Sequence, residues 1–147
     1  MTRDFSPKDL QEITGIAARR IKFYSDCKLL SLREQNPGRG RGRKYSRQNI
    51  FELLFIKTLD SLGVMLSRIE EIFASAGTSY SILLDLATYE KEDPPGLFVQ
   101  ISENGVQFAG VRDRGFLKGT ETLTLDMSGM SGAIIINMAS VARKVPD

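Results

Sequence analysis

The sequence predicts an α+β chain: a helical N-terminal half built on a helix–turn–helix, a short linking helix, and a small β-rich C-terminal domain with a closing helix. Three observations predict it. From Pro7 to Phe73, apolar residues recur at helical spacing in blocks separated by capping and breaking residues. Asp93-Pro94-Pro95-Gly96 is the strongest breaker in the chain and marks a boundary. Beyond it the apolar period changes from helical to alternating. The divisions this implies are 1–77 for the helical head, 78–93 for a linking or dimerisation helix, and 94–147 for the β-rich domain.

The elements follow in order. Ser6-Pro7 opens the first helix, serine as cap and proline in the first turn, and Thr14-Gly15 ends it. Ile16 restarts the pattern, which Ile21 and Tyr24 continue through a second helix of about three turns. Leu29, Leu30 and Leu32 follow as anchors. Two short helices joined by a glycine-containing turn are the minimal helix–turn–helix signal. Asn36 to Lys44 carries Pro37, Gly38, Gly40 and Gly42, so it is expected as a loop or hairpin tip, with Arg43–Tyr45 as the return strand. Ser46 caps the next helix, from Arg47 to about Leu62, with Ile50, Leu53, Leu54 and Lys57 along one stripe. Gly63 interrupts it, and Ser67 is expected to cap a further helix through Ile69, Ile72 and Phe73 to near Gly77. Residues 79–92 predict one more helix. Phe98–Ser102 and Val106–Val111 predict a hairpin about Glu103-Asn104-Gly105. Thr122–Asp126 and Ala133–Asn137 predict two more strands, and Met138–Val145 a closing helix.

Composition excludes several function classes. The 147 residues contain no histidine and one cysteine, Cys27, so imidazole acid–base chemistry, thiol–imidazole pairs and multi-thiolate metal sites within one chain have no residues to use. No cofactor is expected, and no enzyme activity. Asp113 and Asp126 are isolated carboxylates that polar turns explain. Cys27 is expected as a small apolar packing residue. No apolar run approaches the length of a membrane span and the N-terminus carries no apolar signal core, so a cytoplasmic protein without a membrane partner is the expectation. The charge is uneven. Residues 1–77 hold 14 Lys and Arg against 9 Asp and Glu, a net of +5, whereas residues 78–147 hold 6 against 9, a net of −3. A polyanionic partner is therefore expected for the front half alone.

The string from Gly15 to Leu30, GIAARRIKFYSDCKLL, resembles the recognition-helix pattern of the MerR (mercury-resistance-regulator) family of bacterial transcription regulators. The match lies in Gly15, Ile16, Ala17, Ala18, Arg19, Ile21, Lys22, Phe23, Tyr24, Leu29 and Leu30. The wing of that family ends in an arginine, any residue, then Tyr-Ser, and Arg43-Lys44-Tyr45-Ser46 is similar. Leu62 to Phe73, LGVMLSRIEEIF, resembles the junction of its third and fourth helices. There are departures. Lys28 stands where the family usually has glycine, and Ala18 replaces the usual proline or serine. No cysteine follows Cys27, so the thiolate metal sensing of some members does not carry over. The helix at 79–92 is short for a dimerisation helix.

The resemblance implies a winged helix–turn–helix, a homodimer on an inverted-repeat promoter site, distortion of that site, and an indirect effect on RNA polymerase. Carried onto this chain, the DNA-facing residues are Ala17, Ala18, Arg19, Arg20, Lys22, Phe23 and Tyr24 from the second helix. The wing contributes Arg39, Arg41, Arg43, Lys44 and Tyr45. The chemistry suits double-stranded DNA: lysine and arginine displace counterions from phosphates, and an arginine in the major groove can bind guanine through two hydrogen bonds. Other readings of the same residues are a solvated helix face for Arg19, Arg20 and Lys22, and an RNA-binding patch for the arginine–glycine loop. As a whole, the head is also compatible with a winged-helix adaptor, or with a DNA-bending accessory protein acting through a protein partner. The C-terminal set Phe98, Val99, Ile101, Phe108, Leu123 and Leu125 makes either a dry core or a pocket for a small apolar effector.

Overall fold

The computed structural model describes residues 3–74, 96–102, 105–111, 133–137, 141 and 144–146. Helix α1, Pro7–Thr14, starts in a reciprocal capping box. The Ser6 hydroxyl accepts from the Asp9 N–H at 3.2 Å, and the Asp9 carboxylate accepts from the Ser6 N–H at 2.8 Å and its hydroxyl at 2.7 Å. Those two donors hold the Asp9 carboxyl below its ordinary range, the backbone N–H more than the hydroxyl. Gly15 ends α1 at φ 71, a left-handed position that suits glycine. Buried Thr14 ties the turn on both sides, donating to the Leu10 carbonyl at 2.7 Å and accepting from the Ile16 N–H at 3.2 Å. Lys57 Nζ donates to the Thr14 carbonyl at 2.7 Å, so this lysine binds the end of α1 to a later helix.

Helix α2, Ala18–Asp26, has no side-chain cap of its own, since Ala17 occupies that position. Gln11 of α1 replaces the cap, its Oε1 accepting from the Ala18 N–H at 3.3 Å. The C-terminus of α2 closes with Leu29 N–H on the Tyr24 carbonyl and Lys28 N–H on the Ser25 carbonyl, both at 3.1 Å. This double closure needs a left-handed residue, and Lys28 supplies it at φ 59. A side chain there carries a strain of about 1–2 kcal/mol that glycine lacks. Lys28→Gly is therefore expected to raise stability by about 1 kcal/mol, after allowance for the extra chain freedom of glycine when unfolded. Urea melts should show a higher midpoint at unchanged slope; a midpoint that stays or falls would refute the strain.

Residues 36–44 form a loop, here termed the wing loop, with Gly38 and Gly40 at φ 82 and 81. Its tip closes with the Arg41 N–H on the Gly38 carbonyl at 3.3 Å. The expected return strand over Arg43–Tyr45 is corrected: Tyr45 alone forms a β-bridge, and it pairs with Phe5 before α1. Helix α3, Arg47–Ser61, is capped by Ser46 in a second box with Asn49. It is buried almost all round, with every residue from Asn49 to Ile56 covered, including Phe51 and Phe55 beyond the stripe read from the sequence. Gly63, at φ 80, and Val64 close α3 as Lys28 and Leu29 close α2, their N–H groups on the Asp60 and Leu59 carbonyls. Helix α4 is described from residue 66 to 74. Ser67 is not its cap, because the Met65 carbonyl already accepts from Ile69 and the chain is helical at residue 66. The rings of Phe55 and Phe73 lie 5.6 Å apart and join α3 to α4.

The chain divides into two units, one of Met1–Phe73 with Lys144–Asp147 and the other of Ala74–Arg143. In the first, Val145 is buried and the Pro146 carbonyl accepts from Arg47 Nε at 2.9 Å. In the second, β1 (Gly96–Ser102), β2 (Gly105–Val111) and β3 (Ala133–Asn137) form an antiparallel sheet in the order β2-β1-β3. Gly105, expected within the hairpin turn, pairs with Ser102 as the first residue of β2. The register sets apolar residues against one another, Val99 between Phe108 and Ile136, Ile101 between Val106 and Ile134. The helix at 79–92, the strand at Thr122–Asp126, most of the closing helix, and Leu123 and Leu125 of the expected core lie outside the described residues, while Phe98, Val99, Ile101 and Phe108 of that core stand on β1 and β2. Residue 141 is helical, but Lys144 and Val145 are already turn and bend.

Candidate nucleic-acid interface

The amphipathic pattern of α2 fixes which side of the helix is available. Ile21 and Tyr24 are buried, as is Ser25, leaving Ala17, Ala18, Arg19, Lys22 and Phe23 exposed. Ala18, Arg19 and Lys22 line a groove of about 760 Å³. Its other wall is the wing loop, with Asn36, Pro37, Gly38, Arg41 and Arg43, and Pro7 and Tyr45 complete it. Cations from two separate segments thus face one concavity. Among the described residues, no hydrogen bond or ion pair engages the guanidiniums of Arg19, Arg39 or Arg41. Such cations remain available to an anion.

The other expected site residues divide by position. Arg20 does not join the groove: it pairs with Asp60 of α3 at 3.5 Å and lies over the Tyr24 ring at 5.8 Å. Adjacent helical residues point about 100° apart, which turns Arg20 from the groove while Arg19 faces it. Tyr24 is 5% exposed and belongs to the core. Tyr45 is 2% exposed and its hydroxyl lies 3.1 Å from Ser25 Oγ, so it joins the loop to α2. Phe23 is 47% exposed, an apolar side chain beside the cations. Arg39 stands exposed near the loop tip but does not line the groove. Lys44 points to the far side of the loop, where its Nζ pairs with Asp4 at 3.5 Å and it lines a second concavity of about 480 Å³ with Arg33 and Arg41. Arg43 faces the groove but is only 17% exposed, with Nη2 2.7 Å from Asp26 Oδ1 and Nε donating to the Gln35 carbonyl at 3.0 Å. Asp26, Gln35 and Asn36 were not anticipated. An acidic residue four places after Lys22 was a visible sign for Asp26 alone, and the two do approach at 3.8 Å.

Two short helices meeting at a tight glycine turn, with a basic loop held beside the second, define a helix–turn–helix DNA-binding head. The family described as MerR HTH family regulatory protein matches residues 5–76, the stretch that carries the helix–turn–helix and the wing loop. DNA binding and transcription regulation are accordingly the function class of the head. No curated protein matches the chain. No helix among the described residues is long and apolar enough to cross a membrane.

Proposed function

We propose that the chain regulates transcription as a homodimer whose two heads occupy the halves of an inverted repeat. The observation that carries this reading is the shared groove of Arg19, Lys22 and Arg41, a helix and a loop offering cations to one partner. In this arrangement the first turns of α2 enter the major groove, where Arg19 reads a base edge and Ala17 and Ala18 allow close approach. The wing arginines Arg39 and Arg41 follow the flanking phosphates, which positions the head without reading sequence. Binding both half-sites sets DNA deformation against added contacts, so the regulator acts by reshaping a promoter for RNA polymerase. Residues 78–147 supply dimerisation and any effector response.

Selection of bound sequences from random duplex DNA, followed by sizing of the complex, tests this reading. The expected result is an enriched inverted repeat carried by two chains. Enrichment of single half-sites by a lone chain would overturn the dimer, and no enrichment over random duplex would overturn the regulator. An adaptor acting through a protein partner would lack the steep salt dependence that phosphate contacts impose.

A further inference from the structure

The wing loop has little internal structure, yet its base is fastened at several points to one place. Its two arms are not paired with each other as a ladder; the returning arm bridges to Phe5. Both arms instead reach the last turn of α2. From the outgoing arm, Gln35 Nε2 donates to the Ser25 carbonyl. From the returning arm, Arg43 meets the Asp26 carboxylate at 2.7 Å, and its Nε spans the loop to the Gln35 carbonyl at 3.0 Å. Asp26 is thus joined to Arg43, which is joined to the opposite arm. The arginine is 17% exposed while Asp26 is 48% exposed, so the cation is the more enclosed partner.

We infer that Asp26 is a positioning residue for DNA binding: it latches Arg43, and through Arg43 both arms of the wing loop, so that Arg39 and Arg41 are presented alongside α2. This rests on the DNA-binding reading above. It gives Arg43 a different role from its neighbours two and four residues earlier in the loop. Arg41 and Arg39 meet phosphates; Arg43 holds the loop that carries them. It also gives an acidic residue a supporting role beside a polyanion. A carboxylate acting only through its charge would repel phosphate, and its removal would tighten binding. A latch predicts the opposite sign, because a loop released from α2 must be ordered again on binding.

The experiment compares Asp26→Ala, Asp26→Glu, Arg43→Gln and the Asp26→Ala/Arg43→Gln double variant for duplex affinity across a salt series, with thermal melts in parallel. Asp26→Ala and Arg43→Gln are each expected to weaken binding by about tenfold, the scale of one charge-assisted hydrogen bond. The double variant should be no worse than Arg43→Gln alone, since that variant already removes the Arg43–Asp26 contact along with the Nε bond to Gln35. Asp26→Glu should recover most of the loss. The slope of log affinity against log salt should stay at the parent value in Arg43→Gln, because no phosphate contact is removed. Tighter or unchanged binding by Asp26→Ala would overturn the latch, as would a flattened slope in Arg43→Gln or additive losses in the double variant. A fall in melting temperature that matched the affinity loss and persisted in Asp26→Glu would overturn it in favour of simple misfolding. A parent protein without salt-dependent duplex binding would sink the DNA reading itself, a result visible before any variant is compared.

Discussion

Glu52→Ala is expected to destabilise the head by about 3 kcal/mol, the loss of a fully buried carboxylate that accepts three hydrogen bonds and of the volume it fills. Glu52 lies in the middle of α3 and is 0% exposed. Its Oε2 accepts from the Ser31 N–H and from Asn49 Nδ2, both at 2.9 Å, and Oε1 accepts from Gln48 Nε2 at 3.2 Å. Asn49, 1% exposed, also donates to the Ser31 carbonyl at 3.2 Å and accepts from the Ser46 N–H at 2.9 Å. One pair of side chains therefore satisfies both backbone groups of Ser31, where the chain leaves the helix–turn–helix for the wing loop, and the start of α3. Alanine leaves these donors in a space it cannot fill. Glu52→Gln keeps the volume and one acceptor, so it should cost less than half as much. Urea melts of both variants decide the matter; an alanine variant within about 1 kcal/mol of the parent would show that this network contributes little.

Nothing in the sequence marked Glu52, and the reason is physical. A charge within an apolar helix is normally taken for the solvent side of the stripe, and periodicity cannot tell a one-sided helix from one covered all round. The same limit hid the burial of Phe51 and Phe55. Features set by local backbone chemistry were legible: Ser6 and Ser46 as caps, Gly15 and Gly63 as helix ends. Ser67 misled because a serine inside a first turn resembles one just before it, and the carbonyl at Met65 had already opened α4. Motif spacing located the basic loop but could not sort its arginines. Arg41 and Arg43 are both flanked by Gly42, yet only one has Asp26 within reach, which is a tertiary fact. Arg19, which matches the family pattern, and Arg20 part by helical phase, but the partner that holds Arg20, Asp60 from a helix about forty residues later, is likewise a tertiary fact. Lys28 is the converse case. Its departure from the glycine usual in the family it resembles was readable, whereas the left-handed backbone that the lysine itself adopts was not.

Arg19→Ala and Arg41→Ala are expected to weaken DNA binding in two different ways, and the difference carries more information than the size of either loss. Both guanidiniums line one groove and no partner engages either among the described residues. Arg19 sits in the first turn of α2, where a major-groove helix meets base edges. Its loss should cost about 1–3 kcal/mol per head at the selected sequence and far less on random duplex, so that discrimination falls. Arg41 sits on the loop, and its contact is with a phosphate that every duplex offers. Its loss should weaken specific and random DNA alike and reduce the salt slope by about 0.9 per head. In a dimer both effects double, which makes their size a second test of the proposed assembly. Competition titrations with selected and random duplexes at several salt concentrations separate the two. Equal losses on both duplexes from Arg19→Ala would move base reading elsewhere on α2, with exposed Phe23 and Lys22 the next residues to replace. An unchanged slope in Arg41→Ala would place the loop away from the phosphates. Parent-like binding by both variants would mean that the groove between α2 and the wing loop is not where DNA lies, whatever the family resemblance of the residues around it.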